Sequence, residues 1–212
     1  MLTVTQPVGH RLDDQARWWH ACQLAENNQV DELRRLAAAG DDHARRQLAS
    51  WLSDRAGSDA AKMAEAIEVI HPLADTGDDV AELWLARWLA DHDHLGELRE
   101  RASAKGGHHA LCELARRLAE LNKPGELREL ALAADPERRL LIVRAARDAY
   151  SPAMDVTRVC ADLGDEPARR GLIRWLARSG QLGELRERAE SDEYARDWLA
   201  VALRRRYDPH GR

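Results

Sequence analysis

Several residue types are scarce or missing in this chain of 212 residues, which has no phenylalanine, only 3 cysteines and no long apolar run. The cysteines show no C-x-x-C pairing, which excludes a disulfide-stapled miniprotein and gives no zinc knuckle. No stretch of about 18 apolar residues is available for a membrane span. The first residues also lack the basic and apolar regions of a secretory signal peptide. We therefore expect a protein of the reducing cytoplasm with no membrane partner.

Charge is distributed unevenly along the chain, whose formal net charge is −5. Residues 1–135 carry 16 basic and 24 acidic side chains, a net −8, whereas residues 136–212 carry 16 and 13, a net +3. A protein that binds a polyphosphate along its whole length needs an excess of basic side chains. The overall balance therefore argues against nucleic acid as the partner.

A short tag, Glu-Leu-Arg, recurs four times, at intervals of 65, 29 and 58 residues. Because 58 is twice 29, the last interval contains a hidden unit, marked by a degenerate copy at residues 155–158. The 65-residue interval contains another hidden unit around residues 68–70, lengthened by about two helical turns. The pattern predicts six units, which begin near residues 31, 60, 96, 125, 154 and 183.

Each tag is followed, after a short turn, by a second segment with helical periodicity. In the first of these segments an apolar residue stands at i, i+4, i+7 and i+8, in Ala44, Leu48, Trp51 and Leu52. This spacing forms one apolar face of an α-helix. Residues 12–28 resemble such a second segment, but no tag segment precedes them. The sequence therefore predicts an all-α chain of about 13 helices, one leading helix followed by six antiparallel pairs.

The turn between the two segments reads Gly-Asp-x-x-Ala in three copies. Aspartates at this position are suited to cap a helix, and we expect this role for Asp41, Asp78, Asp165 and Asp192. The alternating helices, the small alanine positions and this turn resemble tetratricopeptide and Sel1-like repeats, in the degenerate short versions found in bacterial proteins. The resemblance covers about residues 12–206. HEAT-like stacking is the alternative geometry.

This resemblance implies a single right-handed α-solenoid domain over residues 12–206, with flexible segments at residues 1–11 and 207–212. A helix pair cannot bury its apolar face alone, so stacked neighbours must share one continuous core. The resemblance also implies a non-enzymatic scaffold that binds a peptide or protein partner along the concave face, which the first helix of each pair lines.

On that face the tag charges form a candidate partner-binding set. Arginine forks bind carboxylates, so an acidic partner is expected. The alternative is that the charges neutralise one another on a solvated face, as the i,i+4 spacing of Glu97–Arg101 and Glu184–Arg188 indicates. The candidate set is Arg34, Glu97, Arg99, Glu126, Arg128, Arg158, Glu184 and Arg186. We call the five arginines of this set the arginine row.

The tryptophans fall into two groups. Trp51, Trp88 and Trp175 lie on the apolar faces of second helices and are expected in the core. Trp18 and Trp19 are neighbours on one helix, so both cannot lie on one narrow apolar face. One of them is expected to cover the open end of the stack; otherwise the pair marks an exposed contact or a homodimer interface.

No catalytic motif occurs in the sequence: there is no G-x-S-x-G, no G-x-G-x-x-G and no P-loop. We predict no catalytic residue, no cofactor and no metal, and therefore no enzyme. The alternative function is a helical-repeat nucleic-acid-binding or base-repair protein. It would use the basic C-terminal units, with Arg169, Arg170 and the run Arg204–Arg206.

Overall fold

The computed structural model describes the backbone of residues 8–57, 59–104, 106–149 and 154–207, and side chains from residue 13 to residue 204 within those ranges. Most of the predicted flexible ends, 1–11 and 207–212, lie outside the described residues, as do the side chains of Arg205 and Arg206. The regular elements of the described ranges are all helices, so the chain is all-α. These helices are α1 (Val8–Glu26), α2 (Val30–Ala38), α3 (Asp42–Ala56), α4 (Ala60–Asp75), α5 (Asp79–Asp91), α6 (Leu95–Ser103), α7 (His108–Glu120), α8 (Pro124–Ala133), α9 (Pro136–Asp148), α10 (Met154–Asp162), α11 (Glu166–Ser179), α12 (Leu182–Ala189) and α13 (Glu193–Tyr207).

The even-numbered helices begin where the tag pattern predicts the six units to begin. Their first residues are 30, 60, 95, 124, 154 and 182, each within one residue of the predicted start. Helix α4 has 16 residues, whereas the other five have 8 to 10. The excess corresponds to about two turns at 3.6 residues per turn. The structure thus confirms the predicted lengthening of the second unit.

Buried leucines explain why the tag recurs. The leucine of each complete tag is at most 1% exposed, in Leu33, Leu98, Leu127 and Leu185. In the odd-numbered helices the predicted alanine and leucine positions are buried as well, as at Ala81, Leu85 and Leu89. Trp51, Trp88 and Trp175 are half-buried, so they lie at the margin of the apolar faces rather than deep in the core.

The Gly-Asp turn ends one helix and starts the next. Gly40, Gly77 and Gly164 have φ between 84° and 92°, a left-handed conformation that suits glycine. The following aspartate then caps the odd-numbered helix: Asp41, Asp78 and Asp165 accept hydrogen bonds from the N–H groups of Ala44, Ala81 and Ala168. Asp192 accepts from Ala195 in the same way, at 3.3 Å. The four predicted caps are confirmed.

Helix α7 has glycine in place of the capping aspartate, for a steric reason. A Cβ atom at Gly107 would lie 2.0 Å from the carbonyl oxygen of Arg101 at the end of α6. No side chain fits in that space. Gly107 therefore allows the close approach of α6 to α7 and leaves α7 without a side-chain cap.

The chain divides into two compact units, Met1–His94 and Leu95–Arg212. In the first unit α3 packs against α1, α2 and α4, and α4 packs against α5. In the second unit α7 packs against α6, α8 and α9, α10 packs against α8, α9 and α11, and α13 packs against α11 and α12. No helix in the described part of the chain combines the length and apolar character needed to cross a membrane.

Candidate functional site

Four of the five arginines of the row bind carboxylates on the next even-numbered helix. In the first unit the Nε atom of Arg34 lies 2.8 Å from Oε1 of Glu65 on α4. In the second unit three such ion pairs follow one another: Arg99 with Glu126, Arg128 with Asp162 (2.9 Å) and Arg158 with Glu184 (3.2 Å). Each pair joins residues 26 to 34 positions apart. The arginine row therefore ties neighbouring even-numbered helices together within each unit.

These ion pairs keep both partners charged. The hydrogen bond to Glu65 raises the pKa of Arg34 above its ordinary value. Hydrogen bonds from Lys123 and Arg99 lower the pKa of Glu126 below its ordinary value of 4.5. The side chains are between a quarter and a half exposed, so solvent screens each pair and its contribution is about 0–1 kcal/mol.

The local pairs expected from i,i+4 spacing also form. Arg101 lies 3.2 Å from Glu97 on α6, and Arg188 lies 3.2 Å from Glu184 on α12. Arg188 further binds Asp162 of α10 at 3.0 Å. Arg186 is the exception in the candidate set, since it is exposed and has no partner among the described side chains of the second unit. Most charges of the candidate set are thus neutralised by other charges of the protein, as the alternative interpretation of the sequence expects.

A second series of ion pairs connects odd-numbered helices, and the sequence did not reveal it. Arg46 of α3 binds the capping aspartate Asp78 of α5. Arg147 of α9 binds the capping aspartate Asp165 of α11 at 3.0 Å, and Arg169 of α11 binds Asp192 before α13. Each of these aspartates caps a helix and also holds an arginine of the preceding odd-numbered helix. The Gly-Asp turn was a signal for the cap but not for the arginine.

A cleft of about 390 Å³ opens between α9 and the start of α11 in the second unit, and we call it the α9–α11 cleft. The turn after α10 closes one side of it. Its apolar lining includes Leu140, which is 51% exposed. The lining residues are Pro136, Arg139, Leu140, Val143, Arg144, Arg147, Leu163, Gly164, Asp165, Glu166 and Pro167.

The charges of the α9–α11 cleft do not cancel. Its two acids are neutralised, Asp165 by Arg147 and Glu166 by Arg169 and Arg170 outside the cleft. Arg139 donates only to the backbone carbonyls of Ala131 and Ala134, at 2.9 and 3.2 Å. Arg144 is exposed and has no partner among the residues described in this unit. The cleft therefore keeps two guanidinium groups without a carboxylate.

The predicted tryptophan pair is exposed on α1. Trp18 is 46% and Trp19 is 58% exposed, and their ring centroids are 6.1 Å apart. The same helix buries Ala21 and Leu24 instead. The roles predicted for the pair, an end cap or a homodimer contact, stay predictions.

Two of the three described arginines of the nucleic-acid alternative are paired with other side chains. Arg169 binds Glu166 and Asp192, and Arg170 binds Glu166 and lies 5.5 Å from the ring centroid of Tyr194. Arg204 is exposed at the end of α13. The contacts of Arg169 and Arg170 therefore neutralise part of the charge that a phosphate backbone would need.

No model of a known protein family, no curated protein and no solved structure matches this chain.

Proposed function

We propose that the chain is a non-enzymatic scaffold that binds a segment of a partner protein, built as a right-handed α-solenoid of six helix pairs of the tetratricopeptide or Sel1-like kind. The agreement between the predicted unit starts and the even-numbered helices supports the repeat. The three cysteines are free thiols, which supports a reducing compartment such as the cytoplasm.

The observation that carries the binding proposal is the charge of the α9–α11 cleft. Arg144 and Arg139 lack a carboxylate partner and lie beside the half-exposed side chain of Leu140. Guanidinium groups bind carboxylates through charge-assisted hydrogen bonds. A partner segment with aspartate or glutamate next to an apolar residue matches this combination.

We assign the partner to the α9–α11 cleft rather than to the arginine row because of what an acidic ligand must displace. At Arg34, Arg99, Arg128 and Arg158 it has to displace a carboxylate of the protein itself. At Arg144 it displaces only water. The net gain from a new carboxylate is therefore larger in the cleft.

A selection of random peptides against the full chain tests the proposal. We expect the enriched peptides to contain more aspartate and glutamate than the starting library, and their binding to weaken with added salt because charge pairs at a surface are screened. The variant Arg144→Glu should lose most of this binding, because it places a negative charge at the centre of the site.

The matched control is Arg196→Glu, which makes the same charge change at an exposed position of α13 in the same unit. This variant should bind the selected peptides as the wild type does. Equal losses in both variants would indicate a general charge effect, and no enrichment of acidic peptides would contradict the proposal.

A further inference from the structure

An apolar pocket of about 200 Å³ adjoins the α9–α11 cleft. The two spaces share Arg147 and Pro167 as lining residues, so they are neighbours on the surface of the second unit. The rest of the pocket is lined almost entirely by apolar groups: Val156, Thr157, Cys160, Ala168 and Gly171. For comparison, an apolar cavity of about 150 Å³ accepts a benzene ring.

The one thiol in this pocket adds apolar surface rather than charge. Burial raises the pKa of Cys160 to about 11, so the sulfur stays protonated at neutral pH. The thiol is also directed to the carbonyl oxygen of Val143, at 3.9 Å. The pocket is therefore suited to an aliphatic group rather than to a charged one.

Gly171 lines this pocket without a side chain that could occupy it. It lies in the interior of α11, where glycine costs about 0.5–1 kcal/mol relative to alanine. A Cβ atom at this position would meet nothing within 4 Å, and the backbone there has no positive φ. Neither a close approach nor the backbone conformation therefore requires the glycine.

The other copies of this helix have a large side chain at the equivalent position. Counted from the first alanine of each second segment, Gly171 corresponds to Gln47 of α3, Trp84 of α5 and Glu113 of α7. The copy in α11 is thus the one among these four that leaves the position empty, and the pocket lies there. A helix-weakening glycine beside an open apolar pocket indicates space reserved for a group from another molecule.

We propose that this pocket accepts one aliphatic side chain of an acidic partner segment, whose carboxylates bind Arg144 and Arg139 on the rim of the adjoining cleft. The inference rests on the proposed function, because it names the feature of the partner that the cleft selects. Leucine or isoleucine has the branched shape that fits a short pocket walled by Val156 and Ala168.

The experiment uses ten-residue peptides of glutamate and serine, with one leucine placed at each position in turn, and a matched peptide with serine in place of leucine. Binding to the full chain is measured by fluorescence anisotropy. We expect at least one leucine peptide to bind about tenfold more tightly than the serine peptide, because burial of a leucine side chain is worth at least one such factor.

Two substitutions at Gly171 test the contribution of the pocket to binding separately from that of the cleft. Gly171→Leu fills the pocket from within, so it should abolish the preference for leucine while the salt-dependent binding of acidic peptides remains. Gly171→Ala adds only one methyl group and should keep most of the preference. Both variants should unfold at a temperature no lower than the wild type, since each replaces a helical glycine.

The outcomes distinguish this inference from the proposed function. Equal binding of leucine and serine peptides, with both weakened by Arg144→Glu, would overturn the inference and leave the proposed function standing. Binding that is insensitive to Arg144→Glu would overturn the proposed function, and no binding of any peptide would overturn both. If the wild type is a dimer by sedimentation and Gly171→Leu is a monomer, the occupant is a second copy of the chain and the inference is wrong.

Discussion

Helices α4 and α10 occupy equivalent places in the two units but differ in length, with 16 and 9 residues. Each packs against two odd-numbered helices that an arginine and a capping aspartate connect, Arg46 with Asp78 around α4 and Arg147 with Asp165 around α10. The long α4 buries five side chains, including Met63, Ile70 and Leu73, in the space it occupies. Beside the short α10 the cleft and its pocket remain open. The same kind of connection thus accompanies a filled core around the long α4 and an open cleft beside the short α10.

The largest expected effect concerns the buried side chains of α4. Ile70→Ala should lower the free energy of unfolding by about 2–5 kcal/mol, because Ile70 is 0% exposed and its removal leaves a cavity. Val156 is also 0% exposed, but Val156→Ala removes only two methyl groups, about 1.6 kcal/mol at about 0.8 kcal/mol each, beside a pocket that is already open. Urea unfolding followed by circular dichroism measures both. Equal losses would contradict the contrast between α4 and α10.

The second expected effect concerns the capping aspartates. Asp165→Ala should lower the free energy of unfolding by about 2–4 kcal/mol. It removes a helix cap, and it also removes the carboxylate that binds Arg147; the side chain of Asp165 is only 5% exposed. Asp78→Ala should cost about 1–2 kcal/mol, since that side chain is 23% exposed.

The control for both aspartate variants is Asp41→Ala, at a cap with no described arginine partner. It should cost about 1 kcal/mol, the usual value for a lost cap. Thermal or urea unfolding of the three variants gives the order. If Asp41→Ala costs as much as Asp165→Ala, the arginine contributes nothing to the connection around α10.

The third expected effect is a pH dependence of the connection around α4. Burial raises the pKa of Asp78, but hydrogen bonds from the Ala81 N–H and from Arg46 outweigh it, so the net pKa lies below the ordinary 3.8. A carboxylate with a lowered folded-state pKa stabilises the protein above its unfolded-state pKa, and this stability is lost as the pH falls through the folded-state value.

The variant Asp78→Asn keeps a side-chain cap but has no charge to lose. The free energy of unfolding of the wild type should therefore fall more steeply than that of Asp78→Asn between about pH 5 and pH 2. Parallel curves for the two proteins would contradict the role of Asp78 in the ion pair with Arg46.

The sequence predicted the helices well because their signals are local. The tag leucines recur because each is buried, and the capping aspartates recur because they cap α3, α5 and α11 in the same way, so both leave a pattern that can be read along the chain. The extra turns of α4 were visible as a longer interval between tags.

The site was less predictable because its partners are far apart in the chain. The ion pair of Arg128 with Asp162 joins residues 34 positions apart, so spacing within one helix could not reveal it. The α9–α11 cleft is a space between helices, which no motif marks. The adjoining pocket leaves one trace in the sequence, Gly171, where three other copies have Gln47, Trp84 and Glu113.

The smallest expected effect concerns the arginine row, which reaches both α4 and α10. Double-mutant cycles of Arg34 with Glu65 and of Arg128 with Asp162 should each give a coupling energy of about 0.2–1 kcal/mol, because both pairs are a third to a half exposed. Salt at about 1 M should reduce both couplings further, since charges are then screened within about 3 Å. A coupling energy above about 2 kcal/mol for Arg128 with Asp162 alone would mean that this exposed ion pair compensates for the shortness of α10. Equal and small couplings leave the extra length of α4, and the open cleft and pocket beside the shorter α10, as the physical difference between the two helices.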